Sequence, residues 1–269
     1  MTVPPRKRWP IVALGVFVGI ASTMFGIGGG LIMVPVLHVW LGIDLKRAVG
    51  TSLVAIIGIA LTGVVAEVLV SPGSIHWDLA AGIAAGAIVG ARLGAWLLAK
   101  LPTETLRWIF VAFMTLAMLR LLFGGGASEE TADSAAMAPA LAIAICVMTG
   151  VVTGLTSAFF GIGGGLVVVP VLTFVFADVS FHEARATSLA MMVPTALFGA
   201  LFHRKLSNLE TSALPFLVAP AFLGAITGVL IAAEVPGSGL RRAFGVFLLY
   251  AIIQLLRGRK KQEAQVAAK

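Results

Sequence analysis

Apolar residues fill eight stretches of the chain, 10–42, 48–70, 78–99, 105–123, 140–177, 184–203, 211–233 and 240–256, and charged residues are confined almost wholly to the gaps between them. Runs of about 20 apolar residues are what an α-helix needs to cross a ~30 Å hydrocarbon core. The pattern predicts an all-α polytopic membrane protein. The first and fifth stretches are too long, because ~33 residues of helix at 1.5 Å each would reach ~50 Å. Each contains Gly-Ile-Gly-Gly-Gly, at 26–30 and 161–165. Glycine costs about 1 kcal/mol inside a helix and reaches backbone angles closed to other residues. Pro35 and Pro170 lie five residues past the last glycine of each cluster, and proline suits the first turn or so of a helix. The spacing predicts a broken helix at each cluster, with a new helix opening near Leu31 and near Leu166.

A shift of about 135 positions superimposes the two halves. Gly19, Ser22, Phe25 and Pro35 fall on Gly154, Ser157, Phe160 and Pro170, and "RAVGTSL" from Arg47 meets "EARATSL" from Glu183. The chain is an internal duplication: a first transmembrane repeat within 1–123, an acidic small-residue connector at 124–138, a second repeat at 139–257 and a basic tail at 258–269. If each long segment crosses once, the halves run parallel. If each folds back as a re-entrant hairpin, the halves are inverted. Hairpins put 14 of the 18 Lys and Arg other than Arg92 on the face that carries both termini, and leave Arg120, Arg185, Arg241 and Arg242 opposite; single crossings split them 11 to 7. The positive-inside rule favours the inverted arrangement with both termini cytoplasmic.

Composition narrows the function classes. The chain of 269 residues is 59% hydrophobic and 12% charged, with a net charge of +7 and a mean hydropathy of +1.04, against about a quarter charged in soluble domains. The basic residues flank apolar runs and form no aromatic-interleaved stripe, so they read as topology signals and exclude nucleic acid as a partner. Trp9, Trp40, Trp77, Trp96 and Trp108 sit at or near segment ends, where indole rings settle among headgroups. The single cysteine, Cys146, and four scattered histidines give no disulfide framework and no metal site, and no cofactor is expected. No nucleophile elbow, HExxH or phosphate loop is present, so the chain does not read as an enzyme.

Irregular backbone at membrane depth leaves polar groups to be satisfied by protein, water or substrate. Broken helices in secondary transporters aim their N-termini at an anion, where unpaired N–H groups and the helix dipole act together. Gly26, Gly28, Gly29 and Gly30 with Gly161, Gly163, Gly164 and Gly165 are therefore the candidate anion site; the bland alternative is that they only allow close packing, which suits the stripe Gly82, Gly86, Gly90 and Gly94 better. Ser22 and Ser157 recur one turn before the glycines. Thr51, Ser52, Thr187 and Ser188 recur at the start of the following helix, where they either meet substrate or cap and back-bond. Arg92 lies well inside a predicted span; it binds substrate, snorkels, or pairs with Glu67. Glu67 and His203, at corresponding positions, are candidates for proton coupling, or interfacial residues facing water.

The doubled Gly-Ile-Gly-Gly-Gly-Leu-x-x-Val-Pro, followed by Ala48 to Ser52 and again by Ala184 to Ser188 in an Ala-x-x-Thr-Ser pattern, resembles the TauE/SafE, or sulfite exporter, family over essentially the whole chain. The resemblance implies a bacterial or archaeal inner-membrane permease for sulfite or organosulfur anions, with the junction glycines at the transport site. The expected function is secondary transport of a small anion by alternating access, one half rocking against the other. The lipid bilayer is the other expected partner, and a homo-oligomer is left open. The rivals are a non-transporting membrane scaffold, and a permease for another solute such as a carboxylate.

Overall fold

The computed structural model describes residues 5–98, 103–123, 138–176, 178–205 and 214–267. In chain order the helices are α1 (Pro5–Phe25), α2 (Gly30–Pro35) running on as a π-helical segment (Val36–Trp40), α3 (Leu45–Val70), α4 (Trp77–Leu98), α5 (Thr103–Phe123), α6 (Pro139–Phe160), α7 (Gly165–Val175), α8 (Phe181–Lys205), α9 (Leu214–Glu234) and α10 (Gly237–Ala267). No strand occurs among the described residues. The new helices open at Gly30 and Gly165, one residue before the positions the sequence predicts. Pro35 and Pro170 fall in the second turn, not the first. In α2 the ladder then widens, with the Leu41 N–H reaching the Val36 carbonyl, whereas α7 stays α-helical to Val175. The connector lies outside the described residues apart from Ala138. Within the basic stretch α10 continues to Ala267, as its Lys, Gln, Glu and Ala residues favour.

Local sequence explains the starts of the paired helices α3 and α8. Asp44 caps α3, its side chain accepting from the Lys46 N–H at 3.0 Å. Ser180 and Glu183 form a reciprocal capping box at α8, the Ser180 N–H donating to Glu183 Oε2 at 2.8 Å and the Glu183 N–H to Ser180 Oγ at 3.3 Å.

Contacts between α3 and α8 settle the topology. Gly199 packs on Leu53, Gly63 on Leu189, and Arg185 bonds Glu67, so numbers rise along α3 as they fall along α8. These are equivalent helices of the two repeats, and they are antiparallel. An inverted pair requires an odd number of crossings per half, which the re-entrant hairpins supply. Each returning leg, residues 30–40 and 165–175, is 11 residues long, or ~16 Å at 1.5 Å per residue. The glycine junctions therefore lie about halfway through a ~30 Å core.

The repeats are interleaved. The first helix of each packs, in parallel, on the third long helix of the other. Gly15 and Gly19 of α1 meet the carbonyls of Leu217 and Ala221 on α9, and Gly224 of α9 meets that of Val16. By the same rule Gly86 and Gly90 of α4 meet the carbonyls of Val147 and Val151 on α6, and Gly150 and Gly154 return the contact to Ile83 and Ala87. In a bilayer, where lipid is as apolar as leucine, such backbone approach through small residues drives helix association. The stripe at Gly82, Gly86 and Gly90 is thus a packing seam, as its spacing suggests; the surroundings of Gly94 lie outside the described residues. Large apolar side chains such as Leu69, Leu116, Phe123, Ile143, Leu223 and Val246 are exposed, the surface a lipid-facing bundle requires. Trp9, Trp77 and Trp108 are exposed near the first turns of their helices.

Candidate functional site

The two glycine clusters meet each other. Gly26, Gly28 and Gly29 take positive φ of 65°, 78° and 69°, and Gly161, Gly163 and Gly164 take 64°, 80° and 92°, backbone that L side chains rarely adopt. Gly29 and Gly164 are the N-caps of α2 and α7 and offer no side-chain cap. The cap carbonyls accept the third amide of each helix, Gly29 from Ile32 and Gly164 from Val167, both at 3.1 Å. Across the pseudo-twofold axis, Gly30 abuts the Gly161 carbonyl and Gly165 abuts the Gly26 carbonyl. All ten residues of the two clusters are buried.

The serines flank this junction symmetrically. Ser52 Oγ lies 2.8 Å from the Val49 carbonyl and 3.2 Å from that of Gly161; Ser188 Oγ donates to the Gly26 carbonyl at 2.8 Å. Each hydroxyl thus reaches the glycine cluster of the opposite repeat, and Ser52 also back-bonds to the Val49 carbonyl of its own helix. Removing either should leave a buried carbonyl short of a donor. Ser52→Ala and Ser188→Ala are expected to cost ~1–3 kcal/mol each, read as a lower melting temperature of the detergent-solubilised protein. Thr187 Oγ1 instead accepts the His76 N–H at 3.0 Å, tying α8 to the α3–α4 turn. Thr51 is buried beside Ser52 near the start of α3.

Two hydroxyls at the junction have no partner. Ser22 Oγ, with its Cβ beside Gly29, and Thr153 Oγ1, with its side chain against Gly164, are buried and unsatisfied. An orphaned buried hydroxyl costs about 1–3 kcal/mol, and here one lies at each broken helix. Ser157, also buried, contributes its carbonyl to the Gly161 N–H at 2.8 Å. Ile56 of α3 packs on Gly163, and Met192 of α8, its counterpart, packs on Gly28.

Of three charged residues, Arg92 keeps its snorkelling alternative, and Glu67 and Arg185 differ from the sequence reading. Arg92 is exposed on α4, and no described contact joins it to the junction or to Glu67. Glu67 does not face water: it is 1% exposed, and its partner is Arg185, which is also 1% exposed rather than a loop cation. Arg185 Nη2 donates to both Glu67 oxygens at 2.9 Å, and Nη1 donates to the Thr23 carbonyl at 2.9 Å. Gly26 packs directly on the Arg185 backbone and Cγ, so the ion pair adjoins the first glycine cluster. Sequence reasoning passed over Arg185 and Thr153. The available signals were helix spacing, since Arg185 stands three residues before Ser188 and Thr153 four before Ser157, on the same helix faces.

Comparison with known proteins agrees with this architecture. The family model described as "Sulfite exporter TauE/SafE" matches residues 2–121 and 146–269. The chain is 28% identical over 252 residues to a probable membrane transporter protein of Xylella fastidiosa, covering 91% of this chain and 93% of that one. It is 27% identical over 216 residues to a probable membrane transporter protein of Methanocaldococcus jannaschii, covering 74% and 73%, and 25% identical over 263 residues to one of Haemophilus influenzae, covering 90% and 95%. No solved structure matches the chain. With an all-helical duplicated fold, re-entrant glycine junctions and a family match across both repeats, the chain belongs to the TauE/SafE family of membrane transporters.

Proposed function

We propose that this transporter moves a small oxyanion, sulfite or an organosulfonate first among them, through a site at the two apposed glycine junctions. The observation that carries the reading is the pairing of two broken-helix N-termini, each with an orphaned hydroxyl beside it, Ser22 at one and Thr153 at the other. Helix N-termini carry roughly half a positive charge each and present N–H groups to an anion. The hydroxyls add donors where a substrate oxygen would otherwise meet only apolar walls. The family's description as a sulfite exporter supports the choice of sulfite among oxyanions.

Transport would proceed by alternating access around this midplane site. Because the repeats interleave, the moving bodies are not the sequence halves; the pairs α1 with α9 and α4 with α6, held by backbone contact, are the natural rigid units. Opening one side withdraws Met192 from Gly28, and opening the other withdraws Ile56 from Gly163. The substrate gradient or a coupled proton supplies the driving force. With Arg185 buried, the inverted arrangement leaves Arg120, Arg241 and Arg242 opposite the face richer in Lys and Arg, a distribution that supports termini facing the cytoplasm of a bacterial or archaeal inner membrane.

The test is flux into proteoliposomes holding the purified protein, with sulfite, sulfoacetate, thiosulfate, sulfate, acetate and chloride in parallel. Saturable flux of a sulfur oxyanion is expected, lost or strongly reduced in the Ser22→Ala, Thr153→Val pair, which removes two hydroxyls without a partner in the fold and so leaves a correctly inserted, folded protein. Acetate transported in preference to every sulfur anion would replace the substrate. Absence of flux for every anion from folded wild-type protein would overturn the reading in favour of a non-transporting membrane scaffold.

A further inference from the structure

The duplication supplies an internal control for the buried ion pair. At the position of Arg185 the first repeat carries Val49, and at the position of Glu67 the second carries His203. Val49 lies against Gly161 as Arg185 lies against Gly26. The same junction is therefore packed on one side by an apolar side chain and on the other by an arginine and its carboxylate. The fold does not require the charges. Replacing a buried ion pair by apolar groups is often neutral or stabilising, so this pair is a costly feature that packing leaves unexplained.

Its geometry is also incomplete. A guanidinium carries five N–H donors in a planar fork, and its strongest mode with an oxyanion uses two nitrogens in parallel. Glu67 instead takes both its bonds from Nη2 alone, Nη1 is spent on the Thr23 carbonyl, and the buried Nε–H has no acceptor. The edge formed by Nε and Nη2 is thus held by a carboxylate that uses only half of it. Ser74 Oγ, at 3.3 Å from Glu67 Oε1, supports the carboxylate from the α3–α4 turn. Phe25 stacks on Phe244 at 5.9 Å between ring centroids, and Phe181 meets Phe244 at a tilt at 5.8 Å, Phe25 adjoining Gly26 in the chain and Phe181 one helical turn before Arg185. Outward from it, His76 and Glu183 approach to 3.6 Å and are about one-third exposed.

We infer that Arg185 is an anion-binding residue on one side of the glycine junction and that Glu67 is its built-in competitor, a carboxylate that substrate must displace. The inference rests on the anion-transport reading and deepens it. An incoming oxyanion takes the Nε and Nη2 edge, and Glu67 gives up its bonds to Nη2 and to Ser74. The link between the α3 end, the α8 start and the Thr23 carbonyl at the end of α1 is then loosened. The ion pair is a latch on that side alone, released by the ligand it resembles. The opposite side, with Val49, has no such latch, so the two faces differ in anion affinity.

The experiment measures KM and maximal rate for sulfite in proteoliposomes for wild type, Glu67→Gln, Arg185→Lys and Ser74→Ala, with acetate and sulfoacetate as further arms. Glu67→Gln removes the competing charge and is expected to lower KM about tenfold, the equivalent of ~1.4 kcal/mol. Ser74→Ala, at a partly exposed turn, loosens the same carboxylate without removing it and should lower KM two- to threefold. Arg185→Lys keeps the charge but loses the fork and should raise KM at least tenfold. A purely structural pair would lower protein yield or melting temperature in these variants without lowering KM in any. Wild-type flux with KM unchanged or raised in both Glu67→Gln and Ser74→Ala overturns the latch and leaves the anion permease standing. No saturable anion flux in wild type overturns the permease reading and the latch with it.

Discussion

Gly30→Ala and Gly165→Ala are each expected to lower the stability of the solubilised protein by ~3 kcal/mol or more, and together to prevent accumulation of folded protein. A Cβ at either position would strike a backbone carbonyl of the opposite repeat, Gly161 in one case and Gly26 in the other. Neither carbonyl can swing away as a side chain end would, because each is fixed by a left-handed glycine and contacted by a serine hydroxyl, Ser52 or Ser188. At ~2–4 °C per kcal/mol for a protein of this size, each single change should lower the melting temperature by about 6 °C or more. Gly42→Ala is the control: Gly42 also has a positive φ, 69°, but open space around it, so only the backbone cost of about 1–2 kcal/mol applies. If Gly30→Ala melts with wild type, the two junctions are not in backbone contact.

Cutting the chain between the repeats gives the second large effect. Residues 1–123 expressed alone leave α1 without α9 and α4 without α6, the two seams where glycine backbone meets carbonyl. Residues 139–257 alone lose the same partners in mirror image. Each fragment should be degraded or protease-sensitive in membranes, while co-expression of both should recover a complex that survives detergent extraction. Independent folding of either half would mean that repeats pack within themselves. The glycine seams predict the reverse, because association inside a bilayer depends on this close approach and gains little from apolar burial.

The sequence exposed the junctions because their chemistry is local. Three consecutive glycines in an apolar run break a helix, which the sequence shows; that Gly29 and Gly164 take the caps in left-handed conformation came from the structure. Duplication was equally legible, since it is a property of letters. Ser52 and Ser188 were found by recurrence, but their role was not. Their hydroxyls serve the other repeat's carbonyl, a relation between residues 109 and 162 positions apart. Arg185 was misplaced for a related reason. A cation near a helix start reads as a loop charge until a carboxylate 118 residues away is brought to 2.9 Å.

What the sequence determined by itself was therefore the all-helical membrane class, the two broken helices and the repeat, because each follows from composition, spacing or backbone preference along the chain; the Lys and Arg distribution favoured the inverted topology, and the antiparallel contacts of α3 and α8 decided it. The tertiary structure decided what touches what: that the repeats interleave, that the junctions abut, that Arg92 stands outside and Arg185 inside. A helix presents its residues on every side with equal covalent legitimacy, and only packing against a neighbour selects which side is buried. In a chain where lipid and core are both apolar, hydrophobicity carries no mark of that choice.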